Sequence, residues 1–291
     1  MQLDLSIVIV TYNNAAAIRQ CLDTLSAAVA SYAVELFIID NHSTDDTVKI
    51  LRDANTWKLL SFHHVERICN DQNIGYTKGV NQGLRKSRGR YVLMLNPDII
   101  FHKSPFQDLF QCLQDVKVGV VSPQFRFMNG QVQPSCRRFP KKRDVLFEFL
   151  GFSRIFSNSS FFNGWRFPDF DHQHSADVAQ PQGAFILAHK KVLADVGLLD
   201  ENMPMFFSDV DWCRRVHEAG WRIRFCAEAF VHHQKGVSVR QKRAEMIVSS
   251  HRSFIAYFSK YDSSFIDKMK TVFIRLLLLT ATLPRLLATK F

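Results

Sequence analysis

The feature that most constrains the fold is a repeated order of apolar strand, polar loop and helix near the start of the chain. An apolar, β-branched run, Leu5–Val10, precedes the polar loop TYNN, and apolar residues then recur at helical spacing over Ala15–Tyr32. The order repeats with a strand at Val34–Asp40 and a helix from about Thr44 to Asn55. Buried parallel strands that alternate with helices produce this pattern. We therefore predict a doubly wound α/β domain with a mainly parallel central sheet flanked by helices.

Later segments extend this pattern along the chain. A strand is possible near Leu59–Val65, and the loop that starts at residue 70 leads into a helix. Tyr91–Leu95 is a short apolar strand. In the second half we predict a helix from about Asp209 to Ala219, with Gly220 as its stop, because glycine commonly ends helices. A strand over Arg224–Val231 follows.

Polar clusters stand where three of these strands end. They are TYN at 11–13, DNHSTDD at 40–46 and NPD at 96–98. In an open α/β sheet, ligands bind in the crevice beyond the carboxyl ends of the strands. We therefore expect the three clusters to converge on one crevice.

Three aspartates could carry chemistry, and each has a simpler alternative. Asp98 could ligate Mg²⁺ or Mn²⁺ together with substrate phosphates, although NPD is also common in turns. Asp40 could accept a hydrogen bond from a nucleobase N–H or cap the following helix. Asp209 could take a proton from an acceptor hydroxyl or serve as a helix N-cap. Asp211 has Arg215 four residues later, a spacing that favours an ion pair.

Two adjacent histidines, His232 and His233, end the predicted strand Arg224–Val231. Neighbours on a strand point to opposite faces, so at most one of them faces the crevice. Either could be a metal ligand, and a structural histidine with satisfied hydrogen bonds is the alternative.

Positive charge is concentrated in two regions of this chain, whose formal net charge is +10. RRFPKKR at 137–143 has five bases in seven residues, and residues 239–291 hold ten Lys or Arg against three acids. Such clusters attract phosphates of lipids, nucleic acids or substrates, while a solvated basic face is the alternative. The final apolar stretch, residues 271–291, contains Arg275, Pro284 and Arg285. We predict an interfacial helix on a bilayer, or else a packed terminal helix, rather than a spanning one.

Several classes of protein are disfavoured by what the sequence lacks. It has no GxxxxGK[ST], no GxGxxG after the first strand and no CxxC pair. A P-loop NTPase, a dinucleotide dehydrogenase and a zinc deaminase are therefore disfavoured. The six cysteines are scattered, which is typical of reduced thiols in a cytoplasmic protein.

Eight stretches, in this order, resemble family 2 of the inverting glycosyltransferases, which have the GT-A fold, and most closely its bacterial rhamnosyltransferase-like branch. They span about residues 5–238. The stretches are SIVIVTYNN (6–14), FIIDNHSTDDT (37–47), NDQNIGYTKGVNQGL (70–84), GRYVLMLNPD (89–98), VQPSCRRFP (132–140), QGAFILAHKKVLADVGLLDE (182–201), FFSDVDWCRR (206–215) and VHHQKGVS (231–238).

The resemblance implies roles for individual residues. Those expected to bind the nucleotide-sugar donor are Thr11, Tyr12, Asn13, Asp40, Asn41, Asn73, Gly75, Lys78, Asn96, Pro97 and Asp98. It implies that Asp209 is the catalytic base, that Asp98 and His233 (with His232 still possible) bind the metal, and that the acceptor contacts Arg137, Arg138 and Asp211. The chain departs from the family pattern at two positions. Asn96 replaces the first aspartate of the metal motif, and Ser208 replaces the glutamate before the catalytic aspartate.

The resemblance also implies an organisation and a reaction. We expect a GT-A domain at 1–238, with a nucleotide-sugar half at 1–117 and an acceptor and catalytic half at 118–238, followed by a basic helical extension at 239–291. The expected reaction transfers a sugar, first of all rhamnose, from a dTDP- or UDP-linked donor to a cell-surface polysaccharide or lipid-linked acceptor. A divalent metal, Mg²⁺ or Mn²⁺, assists it, and the extension contacts the inner face of the cell membrane.

Two alternatives remain open. Asn96 and Ser208 make a catalytically impaired glycosyltransferase-like scaffold conceivable. The sequence pI of about 9.4 suggests a basic nucleic-acid-binding protein. No base-stacking aromatic motif accompanies the basic clusters, however, so we expect no nucleic-acid partner.

Overall fold

The structure, a computed structural model, describes residues 3–58, 60, 62–234 and 243–287 of the 291-residue chain. The strands are Leu5–Thr11 (β1), Val34–Asp40 (β2), His64–Cys69 (β3), Tyr91–Leu95 (β4), Ile99–Ile100 (β5), Val118–Arg126 (β6), Val132–Gln133 (β7), Cys136–Arg137 (β8), Ala176–Asp177 (β9), Gln180–Pro181 (β10), Phe185–His189 (β11) and Arg222–His233 (β12). The helices are Ala15–Ala28 (α1), Thr47–Arg52 (α2), Ala54–Lys58 (α3), Tyr76–Lys86 (α4), Phe106–Cys112 (α5), Lys142–Phe149 (α6), Phe152–Ile155 (α7), Lys190–Val196 (α8), Ser208–Glu218 (α9), Arg243–Lys260 (α10) and Phe265–Leu287 (α11). A 3-10 helix spans Gly164–Arg166.

Within these described residues, ten strands form the central sheet. Their order is β3-β2-β1-β4-β11-β6-β12-β5, with β7 beside β6 and β9 beside β12. Strands β3, β2, β1 and β4 are parallel to one another, and β12 is parallel to β6. Strand β11 joins the two groups and is antiparallel to both β4 and β6. The predicted α/β fold is confirmed, and the continuous parallel block lies in the first half of the chain.

Strand β1 is buried on both faces because alternate side chains of a strand point to opposite sides. Ile7 and Ile9 belong to the apolar core under α1. Val8 and Val10 belong to the core under α4. Helix α4 can approach β1 closely because a Cβ on Gly83 would lie only 2.6 Å from Cγ1 of Val8. This two-sided packing fixes the positions of the loops that leave β1 and its neighbours.

Two predicted helix boundaries differ from the structure. The first helix ends at Ala28 rather than Tyr32, and the Tyr32 ring packs against α5 instead. The segment predicted as one helix forms α2 and α3, which begin later and are separated at Asp53, whose backbone is extended at φ −66° and ψ 118°. The start is delayed because Asp45 accepts hydrogen bonds from the backbone N–H groups of Ala15 and Thr47. The loop after β2 is thus tied to the loop after β1.

The third strand was predicted too early. It runs over His64–Cys69 rather than Leu59–Val65 and pairs with β2 alone at the edge of the sheet. Its side chains are only partly buried or exposed. An edge strand of this kind lacks the continuous apolar run by which buried parallel strands are recognised.

The C-terminal helices pack on the second half of the chain. Their junction is an apolar cluster, termed the C-terminal core, made of Val145, Met203, Phe207, Val210, Tyr257, Phe258, Ile274 and Leu278. The predicted boundary at residue 238 lies outside the described residues, as do the side chains of Pro284 and Arg285. Among the helices that the structure describes, none is both long and apolar enough to cross a membrane.

Candidate active site

The loops after β1 and β2 are bound to each other. The N–H of Asn41 donates to the carbonyl oxygen of Thr11 at 2.9 Å. The N–H of Asn13 donates to Oγ of Ser43 at 2.9 Å, and Oδ1 of Asn13 accepts from the N–H of Thr44 at 2.7 Å. Asn13 adopts a left-handed backbone with φ of 52°. Three of the predicted donor residues, Thr11, Asn13 and Asn41, therefore lie in one connected loop pair, and Tyr12 stands between the first two.

Asp40 is almost completely buried at the end of β2. Its Oδ1 accepts a hydrogen bond from Oγ of Ser43 at 2.5 Å, and its Oδ2 accepts one from the Ser43 N–H at 2.9 Å. The carboxylate therefore holds the turn that follows β2. Each of its oxygens has a second lone pair that could accept a further hydrogen bond.

A third loop joins this pair to the second half of the chain. Nδ2 of Asn41 donates to the carbonyl oxygen of Gly75 at 2.9 Å. Gly75 has φ of 87°, and a Cβ there would meet the carbonyl oxygen of Pro204 at 3.0 Å. Asn73 accepts from the Gly75 N–H at 3.0 Å and is exposed, as is Lys78 on the first turn of α4. The side chains of Asn73 and Lys78 are therefore accessible to solvent at this rim.

Asp98 follows β4 and is buried beside His233. Its Oδ1 lies 3.5 Å from Nε2 of His233 and has no hydrogen-bond partner among the described residues. Nδ1 of His233 lies 3.1 Å from Oε1 of Gln133, which fixes the ring. His232 points to the opposite face, where its ring contacts that of His102 at 4.4 Å. The structure thus places His233, rather than His232, at the aspartate.

A divalent cation fits this pair of side chains. A buried carboxylate oxygen without a partner is a natural ligand for a hard cation, and such cations take further oxygens from substrate phosphates. In the described part of the chain, no group of three or more His, Cys, Asp or Glu could hold a metal on its own. Asn96 does not add a charge, and its N–H donates to the carbonyl oxygen of Ala184 at 2.9 Å. Pro97, between Asn96 and Asp98, is buried.

Asp209 lies in the first turn of α9. Phe207, just before this helix, has a left-handed backbone with φ of 67°, which directs the chain into it. Oδ2 of Asp209 accepts from the N–H of Gly183 at 3.1 Å, and Oδ1 accepts from the N–H of Val210 at 3.0 Å. A Cβ on Gly183 would come within 2.8 Å of Oδ2, so this contact requires glycine. The carboxylate is therefore held by backbone on two sides.

The electrostatic surroundings of Asp209 suit a proton acceptor. Burial raises the pKa of its carboxyl group, and the two backbone hydrogen bonds and the charge of Arg137 oppose that rise. Burial also lowers the pKa of Arg137, whose guanidinium lies 5.0 Å from the ring centre of Trp165. A carboxylate with a raised pKa is a better base than an exposed one. Ser208, in place of the family glutamate, is buried, and its Oγ has no partner among the described residues.

Tyr76 contacts Gly183, the residue that binds Asp209, and was missed by the sequence analysis. Its hydroxyl donates to the carbonyl oxygen of Gly183 at 3.4 Å, the residue whose N–H binds Asp209. Burial raises the pKa of Tyr76, and the charges of Asp209 and Asp98 raise it further. Both carboxylates are therefore within electrostatic reach of one hydroxyl. The position of Tyr76 directly after Gly75, at the start of a helix in the loop region, was the available signal.

The side chains of the basic cluster at 137–143 do not share one set of partners. Arg137 lies by Asp209, whereas Arg138 pairs with Asp169 at 2.5 Å. Lys142 forms an ion pair with Asp262 of the C-terminal extension. Charges adjacent in sequence are thus directed to partners in three different places.

Asp211 is also occupied by structural contacts. Its side chain is fully buried, and its Oδ2 lies 2.9 Å from Nε of Arg215, as the spacing predicted. Its Oδ1 lies 2.8 Å from Nζ of Lys260 and accepts a hydrogen bond from the Tyr261 hydroxyl at 2.8 Å. An acceptor sugar therefore has no route to this carboxylate without displacing those partners, and we do not retain Asp211 as an acceptor residue.

Comparison with known proteins identifies the family. The sequence profile of glycosyl transferase family 2 matches residues 6–196. The low-salt glycan biosynthesis hexosyltransferase Agl10 of Haloferax volcanii is 24% identical over 265 residues, which cover 90% of this chain and 75% of that protein. The N-acetylglucosaminyl-diphospho-decaprenol L-rhamnosyltransferase of Mycobacterium tuberculosis is 24% identical over 262 residues, which cover 86% of this chain and 82% of that protein.

The fold has counterparts among solved structures. The mannosyltransferase PcManGT from Pyrobaculum calidifontis, in complex with GDP-Man and Mn²⁺, matches with a TM-score of 0.56 at 16% identity. The match covers 98% of this chain and 72% of that one. This likeness agrees with the predicted GT-A fold. The chain is a glycosyltransferase and belongs to glycosyl transferase family 2.

Proposed function

We propose that this enzyme transfers a sugar from a nucleotide diphosphate donor with inversion, and that Asp209 is its catalytic base. One observation carries the proposal: Asp209 accepts a hydrogen bond from the N–H of Gly183, Asn96 of the NPD loop donates one to the adjacent Ala184, and the charges of Asp98 and Asp209 both act on Tyr76. A cation site and a proton acceptor beside one another are what such a transfer needs, because the leaving diphosphate and the attacking hydroxyl meet at one carbon.

The residues of the chain divide the work as follows. Asp209, oriented by the N–H groups of Gly183 and Val210, takes the proton from the acceptor hydroxyl as that oxygen attacks the sugar. The hydroxyl approaches from the face opposite the diphosphate, so the anomeric configuration inverts. A positioned base of this kind contributes roughly 10²–10⁴ in rate. Arg137 stabilises the ionised carboxylate before the reaction.

A divalent metal, Mg²⁺ or Mn²⁺, would be held by Asp98 and His233. When bound, it supplies positive charge that neutralises the departing diphosphate. The buried and unpartnered Oδ1 of Asp98 supports this assignment. Oxygens of the donor diphosphate would supply further ligands, since no group of three or more His, Cys, Asp or Glu among the described residues could hold a metal alone.

The donor would lie across the loops of the first half, residues 1–117. Thr11, Tyr12, Asn13, Asp40 and Asn41 would surround the base and ribose, and Asn73, Gly75 and Lys78 would close over the phosphates. The rhamnosyltransferase relative at 24% identity supports rhamnose from dTDP-rhamnose as the first donor to test, with UDP-linked sugars next.

The acceptor would bind in the second half, residues 118–238, beside Arg137 and Arg138. A lipid-linked saccharide or a cell-surface polysaccharide is the acceptor class that we propose, and the name of the rhamnosyltransferase relative, which includes a diphospho-decaprenol, supports the lipid-linked case. The basic C-terminal helices would then hold the enzyme on the inner, cytoplasmic face of the membrane.

The test is Asp209→Asn, with Asp171→Asn as the matched control because Asp171 is an exposed aspartate of the second half. Release of nucleoside diphosphate is measured with dTDP-, UDP- and GDP-sugars, with and without Mn²⁺. We expect Asp209→Asn to lower turnover roughly 10²–10⁴-fold while donor binding, followed by thermal shift, changes little. Turnover above half of wild type would remove Asp209 from the role of base.

The same assay decides the second candidate, a catalytically impaired scaffold. Ser208 favours that candidate, because its hydroxyl cannot replace the charge of the family glutamate. Metal-dependent turnover of any donor by the wild-type enzyme excludes the scaffold. Donor binding without turnover, across the whole panel, would establish it.

A further inference from the structure

A cluster of phenylalanines covers α6, α7 and the loop after them without entering the main core. The rings of Phe147, Phe152, Phe156, Phe161 and Phe162 contact one another, with centroids 4.8–6.2 Å apart. Phe161 remains 54% exposed, and two aliphatic neighbours, Leu150 and Ile155, are 50% and 71% exposed. We call this surface the phenylalanine patch. Contiguous exposed apolar surface of this kind marks an interaction site.

Basic residues surround the phenylalanine patch. Lys141, Arg143 and Arg154 are exposed on the same segment. The guanidinium of Arg143 lies 4.8 Å from the ring centre of Phe161. Bases at the rim of an aromatic and aliphatic surface match a bilayer interface, where phosphate head groups lie above the acyl chains.

Helix α11 carries a second surface of the same kind, which we call the α11 stripe. Its exposed apolar side chains are Phe265, Ile266, Met269, Val272, Phe273, Leu276 and Leu279. They are 50–78% exposed and recur at helical spacing, while Thr271, Ile274 and Leu278 are buried on the opposite face. Lys268, Lys270 and Arg275 are exposed along the edges of the stripe. The helix therefore has one apolar face for the protein and one for another partner.

The two surfaces are joined through α6. Nζ of Lys142, at the start of α6, pairs with Asp262 and donates to the carbonyl oxygen of Asp267 at 2.9 Å. Val145 of α6 packs in the C-terminal core with Ile274 and Leu278, the buried side of α11. The phenylalanine patch and the α11 stripe therefore belong to one packed assembly of α6, α7 and α11.

The positive charge around both surfaces favours a negatively charged partner over a second copy of the chain. Bases edge both of them, and the whole chain carries a formal charge of +10. A second copy would bring the same bases face to face, which opposes association. An anionic bilayer offers apolar depth and negative head groups together.

We propose that the phenylalanine patch is a second membrane contact, which inserts into an anionic bilayer alongside the α11 stripe. This inference rests on the proposed function and extends its membrane contact from the C-terminal helices to α6 and α7. Arg137, whose charge acts on Asp209, lies five residues before the start of α6. Insertion of α6 and α7 would thus bring the acceptor side of the active site to the bilayer surface, where a lipid-linked acceptor is held.

The experiment uses the full chain and vesicles of phosphatidylcholine alone or with phosphatidylglycerol. Flotation is compared for wild type, for Leu150→Ser/Ile155→Ser, and for Val116→Ser/Met128→Ser. The last pair is the matched control, because Val116 and Met128 are exposed apolar residues outside both surfaces. We expect wild type to bind the anionic vesicles, and the patch variant to bind about tenfold more weakly. We expect the control to bind like wild type.

Two further measurements, light scattering and nucleoside diphosphate release, separate the membrane contact from dimer formation and from the proposed function. Unchanged vesicle binding by the patch variant would overturn the inference, and so would light scattering that shows wild type as a dimer and the variant as a monomer. The rate of nucleoside diphosphate release from donor without vesicles should be equal in wild type and variant. Absence of that activity in wild type would reject the proposed function, whereas the flotation result would still decide the membrane contact.

Discussion

Lys260→Met probes the attachment of the C-terminal extension to the catalytic helix. Nζ of Lys260 lies 2.8 Å from the fully buried Asp211 and 2.7 Å from Asp200. Losing one partner of a fully buried ion pair costs about 3–5 kcal/mol, and an exposed pair contributes about 0–1 kcal/mol. The Lys260 side chain is 34% exposed, and Arg215 stays beside Asp211. We therefore expect a loss of about 2 kcal/mol in the free energy of unfolding.

That loss should lower Tm by roughly 3 °C in a chain of 291 residues. Burial lowers the pKa of Lys260, but its hydrogen bonds to Asp200 and Asp211 raise it, with a net rise. A raised lysine pKa gives stability that is complete below the unfolded value of about 10.4 and is lost as the pH rises through the folded value. The difference between wild type and variant should therefore be constant from about pH 6 to pH 9.

The assay is thermal unfolding followed by circular dichroism. Lys103→Met is the matched control, since Lys103 is exposed on the loop after β5, and it should change stability by less than about 0.5 kcal/mol. Equal Tm values for wild type and Lys260→Met would refute the reasoning. They would mean that Arg215 and Tyr261 satisfy the buried carboxylate without the lysine.

The remaining predictions concern the active site. Asp98→Asn should remove most of the stimulation by Mn²⁺, about 10²-fold or more, and equal metal activation of both proteins would contradict this. Burial raises the pKa of Asp209, so the acidic limb of the pH profile of kcat/KM should have a pKa above the ordinary aspartate value of about 3.9. Among the described residues, the charged or titratable neighbours of Asp209 are Arg137, Tyr76 and Cys213. The raised pKa stabilises the fold at low pH, and this contribution is lost as the pH rises through the pKa of Asp209. Asp209→Asn should therefore not lower Tm at pH 8. A clear fall in Tm at pH 8 would show that the ionised carboxylate stabilises the fold, against this reasoning.

The buried strands of the first half were predictable because each one is a continuous, mostly apolar run in the sequence. Leu5–Thr11 and Val34–Asp40 are buried along their whole length and mostly apolar, as a strand covered on both faces requires. His64–Cys69 was misplaced because an edge strand with charged side chains carries no such run. The early end of α1 at Ala28 also follows from a tertiary contact, that of Tyr32 with α5, which sequence spacing does not contain.

The convergence of the strand-end loops could be predicted from the topology of the sheet, but the contacts within them could not. Parallel strands bring their carboxyl ends to one edge, so Asp40 and Asp98 could be placed from strand order alone. Gly183 and Tyr76 escaped notice because they act through backbone groups and position, with no charge to mark them. The separate partners of the basic run at 137–143 could not be predicted, because a charge shows its partner only in three dimensions.

The way α9 is fastened has a consequence for control of the enzyme. Lys260 and Tyr261, at the end of α10, bind Asp211 on the helix that carries Asp209. Helix α11 begins a few residues later, at Phe265. A displacement of α11, for example on binding to a lipid surface, would be transmitted through Lys260 and Tyr261 to the helix that carries Asp209. If the proposed membrane contact forms, bound and free enzyme should therefore differ in kcat as well as in KM for the acceptor.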